Sequence, residues 1–411
     1  MRATGLRHVL AGLALAAGLA TVGSAAHAAG KVTVWVGSWW EPQVPIMQEM
    51  WKKDNPDITL DVQPLPINGY LDKFTAAALG GSPPDVVDLD STWVSTAAAK
   101  GLLQDLKDVV AKIDVKDLSP AVFNASAFKG VQYAIPNRGG PGVYYYNKTV
   151  FDKAGVPYPK DGWTYADLLE MSKKITVAGQ TYGVGVPADA SDPSNVATFF
   201  APILWTMGGD FLTPDGSAPA INSPKSVEAI TWWADLYLKH KVTPEGTPNF
   251  TTTRDLQPLF EANKLGLLTA SSNAADTFGK NKNLQWGMVA SPQKINRGGG
   301  WTMGIPVGAA NTANAKTFLL WLNKPENQAK VMNRWPASAK AQALPPWNDP
   351  TNAIFAQAER DAKSVPAVAG WFQMQEAVIT ELQKVLVGKA SPQQAADAAA
   401  AKIKTIIAEN K

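Results

Sequence analysis

Across residues 31–100, short β-branched apolar runs alternate with amphipathic helical stretches, and this alternation narrows the possible folds more than any other feature of the chain. Residues 31–36 read as a strand. Residues 44–53 read as a helix with Val44, Met47 and Trp51 on one face, and residues 58–63 as a second strand that alternates apolar and polar positions. Asn55-Pro56 punctuates the first unit. A helix over 70–79 stops at Gly80-Gly81, a third strand covers 85–89, and a helix follows over 92–100. Repeated strand–helix–strand units require a mainly parallel sheet with helices on both faces. In such a sheet, ligands are held beyond the carboxyl ends of the strands.

The middle of the chain repeats the pattern. A strand is expected at 143–146, Thr164 with Asp167 reads as an N-terminal cap for a helix over 165–174, and Ser223-Pro224 opens a helix reaching residue 239, with Val227, Ile230, Ala234 and Tyr237 in phase. Strands at 265–270 and 286–290 follow, and the last hundred residues are mostly helical, including 313–322 and 392–407. No repeat or long linker divides the chain.

The amino terminus reads as a secretory leader. Arg2, Arg7 and His8 give a basic start, residues 9–22 carry no charge, and Ala26-His27-Ala28 is a small-x-small cleavage site, so the mature chain is expected to begin near Ala29. The apolar run is shorter than the roughly 20 residues of a membrane span. There is no cysteine for a lipid anchor, a disulfide or a thiolate metal site, and the product is expected free in a periplasm. Without Arg2 and Arg7, the 38 basic residues fall to 36 against 35 acidic ones, which offers nucleic acid no basic surface. The roughly 383 residues left exceed one ordinary core, so two lobes are expected.

Fifteen tryptophans and, past the leader, a single histidine (His240) point toward binding rather than reaction chemistry. An indole is a rigid apolar face with one N–H at its edge, suited to ligands with an apolar side and a hydroxylated rim. Just past the expected strands stand Trp39, Trp40 and Glu41, then Asp90 and Trp93, then Ser271, Ser272 and Asn273, and finally Gly300 and Trp301. The indoles at these positions are candidates to stack on a sugar ring, with packing between helix and sheet as the alternative. Asp90 and Glu41 can accept from sugar hydroxyls, though Asp90 also suits a helix cap. Asn137 and Arg138 lie in a proline- and glycine-rich stretch that is either a hinge or a surface turn. Trp371, between Gly370 and Phe372, is a further candidate, whereas Trp205, Trp232, Trp233 and Trp321 fall at core spacing on helices. The triple glycine at 298–300 lacks the lysine and hydroxyl residue of a phosphate loop. His240 sits at a helix carboxyl end. No metal site or cofactor is expected.

The segments Tyr133-Ala134-Ile135-Pro136, Tyr144-Tyr145-Tyr146-Asn147-Lys148, Phe151, Ala154-Gly155 and Gly162-Trp163-Thr164-Tyr165 form one ordered set. With Gly80-Gly81-Ser82-Pro83-Pro84-Asp85, Met207-Gly208-Gly209-Asp210 and the stretches at 318–328 and 391–407, this set resembles the extracellular solute-binding proteins of sugar ABC importers, the maltose-binding-protein-like group. The resemblance implies a type II-like periplasmic binding fold of two α/β lobes, here 29–138 with 296–323 and 139–295 with 324–411, joined by crossings near 136–141, 293–297 and 323–327. It implies one ligand held between the lobes, and it places Arg334 and Trp335 where the second lobe reaches the cleft. At the first strand–helix turn, Trp39-Trp40 replace an acidic and basic pair, so a maltodextrin is not implied. The expected function is a monomeric, non-enzymatic carbohydrate receptor that delivers its ligand to an ABC permease. The same fold could instead take a sugar phosphate or glycerophosphodiester through Arg138, Arg297 and Arg334, or a polyamine through Asp90 and Glu41. A secreted glycosidase would need a facing pair of carboxylates, which the sequence does not nominate.

Overall fold

The structure is a computed structural model that describes residues 30–410, so the leader and its cleavage site lie outside the described residues. Nine strands build two sheets: β1 (Gly30–Gly37), β2 (Ile58–Leu65), β3 (Val86–Asp90), β4 (Ala134–Gly139), β5 (Val143–Asn147), β6 (Tyr182–Gly185), β7 (Leu265–Ala270), β8 (Trp286–Val289) and β9 (Gly300–Gly304). The first sheet runs β2-β1-β3-β9-β4 and the second β8-β5-β7-β6.

Side-chain alternation explains why each sheet is covered twice. On one face of the first sheet, Val32, Val34 and Val36 of β1 meet Met47 and Trp51 of the helix Val44–Asp54 together with Phe318 and Leu322 of the helix Thr312–Leu322. On the other face, Val87 and Leu89 meet Tyr70, Phe74 and Val94. In the second sheet, Tyr144 of β5 enters the larger core while Val143 and Tyr145 enter a separate cluster on the opposite face. The helices Trp371–Leu386 and Pro392–Glu409 close that larger core through residues such as Val378, Leu382, Ala399 and Ile403. The expected cap is present in full: Thr164 Oγ1 accepts from Asp167 N, and Asp167 accepts from Thr164 N.

The sheets are mainly parallel, with one reversed strand in each. β1 is parallel to β2 and β3, and β7 to β6, but β9 is antiparallel to β3 and β4, and β5 to β7 and β8. The reversed strands are the ones that arrive from the other lobe. The carboxyl ends of the strands in both lobes face the cleft, so a strand entering from the cleft must run the opposite way. The first crossing joins β4 to β5 through residues 140–142, and the second lies between β8 and β9. The third falls later than 323–327. The helix Pro325–Val331 stays with the first lobe, where Val331 and Met332 join the cluster around Val34, while Trp335, Phe355 and Ala358 belong to the second lobe. Packing of Val331 and Met332 keeps the chain with the first lobe past the expected boundary at 323/324, and residues 337–340 still bond to that lobe, Ser119 N donating to Ala337 O (2.9 Å) and Lys340 N to Asp117 Oδ1 (2.7 Å). The crossings run side by side: Gly139 N donates to Trp335 O (3.0 Å), Ala337 N donates to Asn137 O (3.2 Å), and Gly300 faces Gly139 in register.

Candidate ligand site between the lobes

A cavity of about 190 Å³ lies where these crossings meet the strand ends. From the first lobe it is bordered by Asp90, Arg138, Gly300 and Trp301. From the second lobe come Thr198, Thr269, Ala270, Ser271 and Ser272. Gly139, Gly140, Arg297, Gly299 and Arg334 border it from the crossings.

Strand register brings its first-lobe residues together. Trp301 of β9 pairs with Asp90 on one side and Arg138 on the other, and a bulge follows it. Asp90 caps the helix Ser91–Ala99, its Oδ1 accepting from Thr92 N (2.9 Å) and Thr92 Oγ1 (2.7 Å), which leaves Oδ2 without a partner. Asp90 therefore caps the helix and borders the cavity at once. Trp39, on the turn Ser38–Gln43, meets Trp301 edge-on with ring centroids 4.4 Å apart, and Trp93 meets it from the other side at 5.5 Å. These two indoles set the orientation of Trp301 and do not themselves border the cavity. The Arg138 guanidinium lies 4.8 Å from the ring centroids of both Trp39 and Trp301. Arg138 is 5% exposed, and its Nη1 has no hydrogen-bond partner. Burial pulls its pKa down to about 9, opposed by Asp88 and Asp90.

Glycine is required where the crossings touch. A Cβ on Gly300 would meet the Arg138 carbonyl at 2.2 Å, and one on Gly140 would meet the Gly299 carbonyl at 3.3 Å. In the second lobe, Tyr145 Oη donates to Ser271 O (2.9 Å), while Ser271 Oγ donates to Asn273 Oδ1. Thr269 Oγ1 is buried without a partner.

Besides Trp39 and Trp93, six candidates from the sequence lie outside the cavity lining. Trp40 is fully buried, and its Nε1 donates to Asp88 Oδ2 (2.9 Å). Successive residues of a tight turn point in different directions, so only Trp39 of this pair reaches Trp301 and Arg138. Asn137 is also fully buried, its Nδ2 donating to Asp88 Oδ1 (2.8 Å), because the pleat turns it away from its neighbour Arg138. Between these two donors Asp88 is wholly enclosed, and burial pushes its pKa up to about 6 against the pull of Arg138 and the two hydrogen bonds. Glu41 is exposed and does not border the cavity. Asn273 starts the helix Asn273–Lys280 and holds Ser271 from behind. Trp335 is 1% exposed and donates to Glu359 Oε2 (3.0 Å). It edges a separate outer groove of about 570 Å³ that shares Ser272 and Arg334 with the inner cavity. Trp371 packs on Phe211 in the second core at 5.3 Å. Its neighbour Phe372 reaches Trp93 across the lobes at 6.3 Å.

Sequence reasoning omitted Thr198, Thr269 and the glycines at 139, 140 and 299 from the site, and considered Arg297 only for a phosphate ligand. Trp205 was expected on a helix, but no limits were expected for the helix Pro193–Thr206, which carries Thr198. Thr269 is the penultimate residue of a strand already expected, and alternation along that strand was the available signal.

The sequence profile described as bacterial extracellular solute-binding protein matches residues 39–329. A binding protein of Brucella abortus is 24% identical over 409 residues, covering 96% of this chain and 97% of its own. A solute-binding protein from Thermotoga lettingae, solved with α-D-tagatose, superposes with a TM-score of 0.81 at 22% identity, covering 92% of this chain and all of that one. The ABC substrate-binding protein of Listeria monocytogenes in complex with cycloalternan gives 0.80 at 25% identity, over 92% of this chain and 99% of that one.

Proposed function

Since this chain belongs to the bacterial extracellular solute-binding protein family, we propose that it is an exported receptor that holds a carbohydrate between its two lobes and presents it to the permease of an ABC importer. The arrangement at Trp301 carries the reading. An indole face, a carboxylate oxygen on Asp90 and the guanidinium of Arg138 converge on one cavity, and hydroxyl groups of the opposite lobe complete it. The ring face takes the C–H surface of a sugar, and the polar groups take its hydroxyls. A buried hydroxyl left unmatched costs about 1–3 kcal/mol, which is the basis of selectivity. A volume of about 190 Å³ is below the ordinary range for drug-sized ligands and favours one or two rings. The Thermotoga and Listeria proteins, which share this fold, were solved with tagatose and cycloalternan.

Contact with both lobes gives the ligand higher affinity for the closed form, and that difference drives closure. The closed form is what the permease recognises. The receptor acts as a monomer in the periplasm after cleavage of its leader. Hydrolysis is disfavoured: among the described residues Asp90 is the sole carboxylate bordering the cavity, whereas glycoside cleavage uses two. A polyamine would meet three guanidinium groups against one carboxylate, and is disfavoured.

The test is a thermal-shift panel of monosaccharides, disaccharides, polyols and sugar acids on the mature protein, with small-angle scattering on each hit. A raised melting temperature with a smaller radius of gyration is expected. The reading fails if no carbohydrate shifts the melt, or if new reducing ends accumulate from added oligosaccharides.

A further inference from the structure

Three arginines and one carboxylate border the inner cavity, and the chain does not balance them. Among the described residues, none of Arg138, Arg297 and Arg334 has an ion pair within 4.0 Å. Asp90 is the one acid in the lining, and half of it is committed to capping the helix behind it. Asp88 attracts Arg138, but its two oxygens are taken by Trp40 and Asn137. Arg138 is partly compensated by lying between two indoles, yet its Nη1 is buried without an acceptor. Arg297 has no indole beside it and feels only Asp90, at a distance. Its Nη2 donates to a neutral partner, Gln375 Oε1 (3.2 Å), while its Nε is buried with no acceptor. Arg334 feels Asp276 at a distance but has no direct partner.

Buried cations are ordinarily paired, because desolvation otherwise outweighs what packing returns. Here the missing partner is not supplied by the protein. A neutral sugar would fill the space and leave the excess positive charge unanswered.

Building on the carbohydrate reading, we infer that the ligand carries an anionic group, a carboxylate or a phosphate ester, on a polyhydroxylated frame, with Arg297 as its main receptor and Arg138 Nη1 and Arg334 beside it. A planar guanidinium with an unoccupied N–H edge matches two oxygens of such a group. Gly299 assists by leaving the space around it open, since a Cβ there would lie 3.2 Å from Arg297 Nη1. Trp301, Asp90 Oδ2, Thr269 and Ser271 are then left to receive the ring and its hydroxyls.

Calorimetric titration of the mature protein tests this with D-glucuronate, D-galacturonate and D-glucose 6-phosphate, each set against its neutral parent hexose, at low and high salt. At least one acid should bind about tenfold or more tightly than its parent, and Arg297→Gln should bring the two together. Preference within the acid arm separates a carboxylate from a phosphate. If Arg297→Gln does not fold, the wild-type protein still decides the matter, because the acid's advantage should shrink as salt rises while the parent's affinity stays level. Parent hexoses binding as tightly as every acid would overturn the anionic inference and leave the carbohydrate receptor standing. An acid preference unchanged in folded Arg297→Gln would overturn the role of Arg297. Failure of both arms to bind, while a neutral disaccharide or polyol from the thermal-shift panel does bind, would overturn the anionic inference and leave the carbohydrate reading standing.

Discussion

Replacing Glu359 by glutamine should stabilise this protein above neutral pH and leave it unchanged in acid. Glu359 is 7% exposed and lies between the first and third crossings, so close to Gly139 that a Cβ there would fall 2.0 Å from Glu359 Oε1. Its Oε2 accepts from both Trp335 Nε1 (3.0 Å) and Gln342 Nε2 (2.8 Å), while Oε1 has no partner. Burial raises its pKa from 4.5 to about 7, opposed only in part by the Ser119 hydroxyl, by Trp335 and Gln342, and by the charge of Arg360. The folded protein thus keeps a proton that the unfolded chain releases earlier. Below pH 4.5 both states hold the proton and the site costs nothing. As pH rises toward 7 the unfolded state gains free energy from ionisation that the folded state does not, and stability falls by about 1.4 kcal/mol for each pH unit crossed. Between 4.5 and about 7 the loss accumulates to about 3 kcal/mol, and it is complete by about pH 8. Glutamine keeps an oxygen for the two donors and removes the ionisation. Urea unfolding followed by tryptophan fluorescence at about pH 4, 6 and 8 should show Glu359→Gln matching wild type at the acid end and exceeding it by up to about 3 kcal/mol at the alkaline end. Two curves that stay parallel across this range would refute the reasoning. Asp88, also buried and raised, slopes both curves in the same direction and cancels in their difference.

Trp301→Ala removes an indole that contacts Trp39, Trp93 and Arg138 and borders the cavity, so ligand affinity measured by calorimetry should fall by more than about 1 kcal/mol. Unchanged affinity would take Trp301 out of the site. Trp40→Phe should do the reverse: it strips a hydrogen bond from fully buried Asp88 and should cost about 1–3 kcal/mol of folding stability, with ligand affinity preserved in the folded fraction. A loss of affinity at full stability would return Trp40 to the cleft.

The sheets and most helices were legible because their periodicity is local. Val32, Val34 and Val36 alternate within one strand, and the strand at 265–270 and the helix at 70–79 have the predicted limits. The site was only partly legible, for a geometric reason visible at Trp39 and Trp40. Strand ends mark where a ligand is held, but beyond the strand the alternation lapses, and nothing in the order of two adjacent tryptophans says which faces the cleft. Asn137 and Arg138 repeat the problem within a strand: alternation makes them opposites without assigning either one. That assignment depends on Asp88, which takes hydrogen bonds from Trp40 and Asn137 and so leaves Trp39 to pack on Trp301 and Arg138 to border the cavity.

Arg297 was legible only as a phosphate candidate, and its position accounts for its importance. It lies in a crossing, next to three glycines, where no helix or strand period predicts direction. A crossing is also where a charged side chain gains most from a ligand. Its backbone is anchored to the second lobe through Gly298 N and Lys363 O (2.7 Å), while the following strand, β9, belongs to the first. An acceptor bound at Arg297 therefore ties the ligand to the segment about which the lobes move. Its contribution differs between open and closed forms only insofar as Trp301 and Ser271 reach the same ligand from opposite sides. Truncating Arg297 should therefore weaken ligand binding, with compaction in scattering restored at saturating ligand, whereas truncating Trp93, which meets Trp301 and, across the lobes, Phe372, should alter the compaction as well as the affinity.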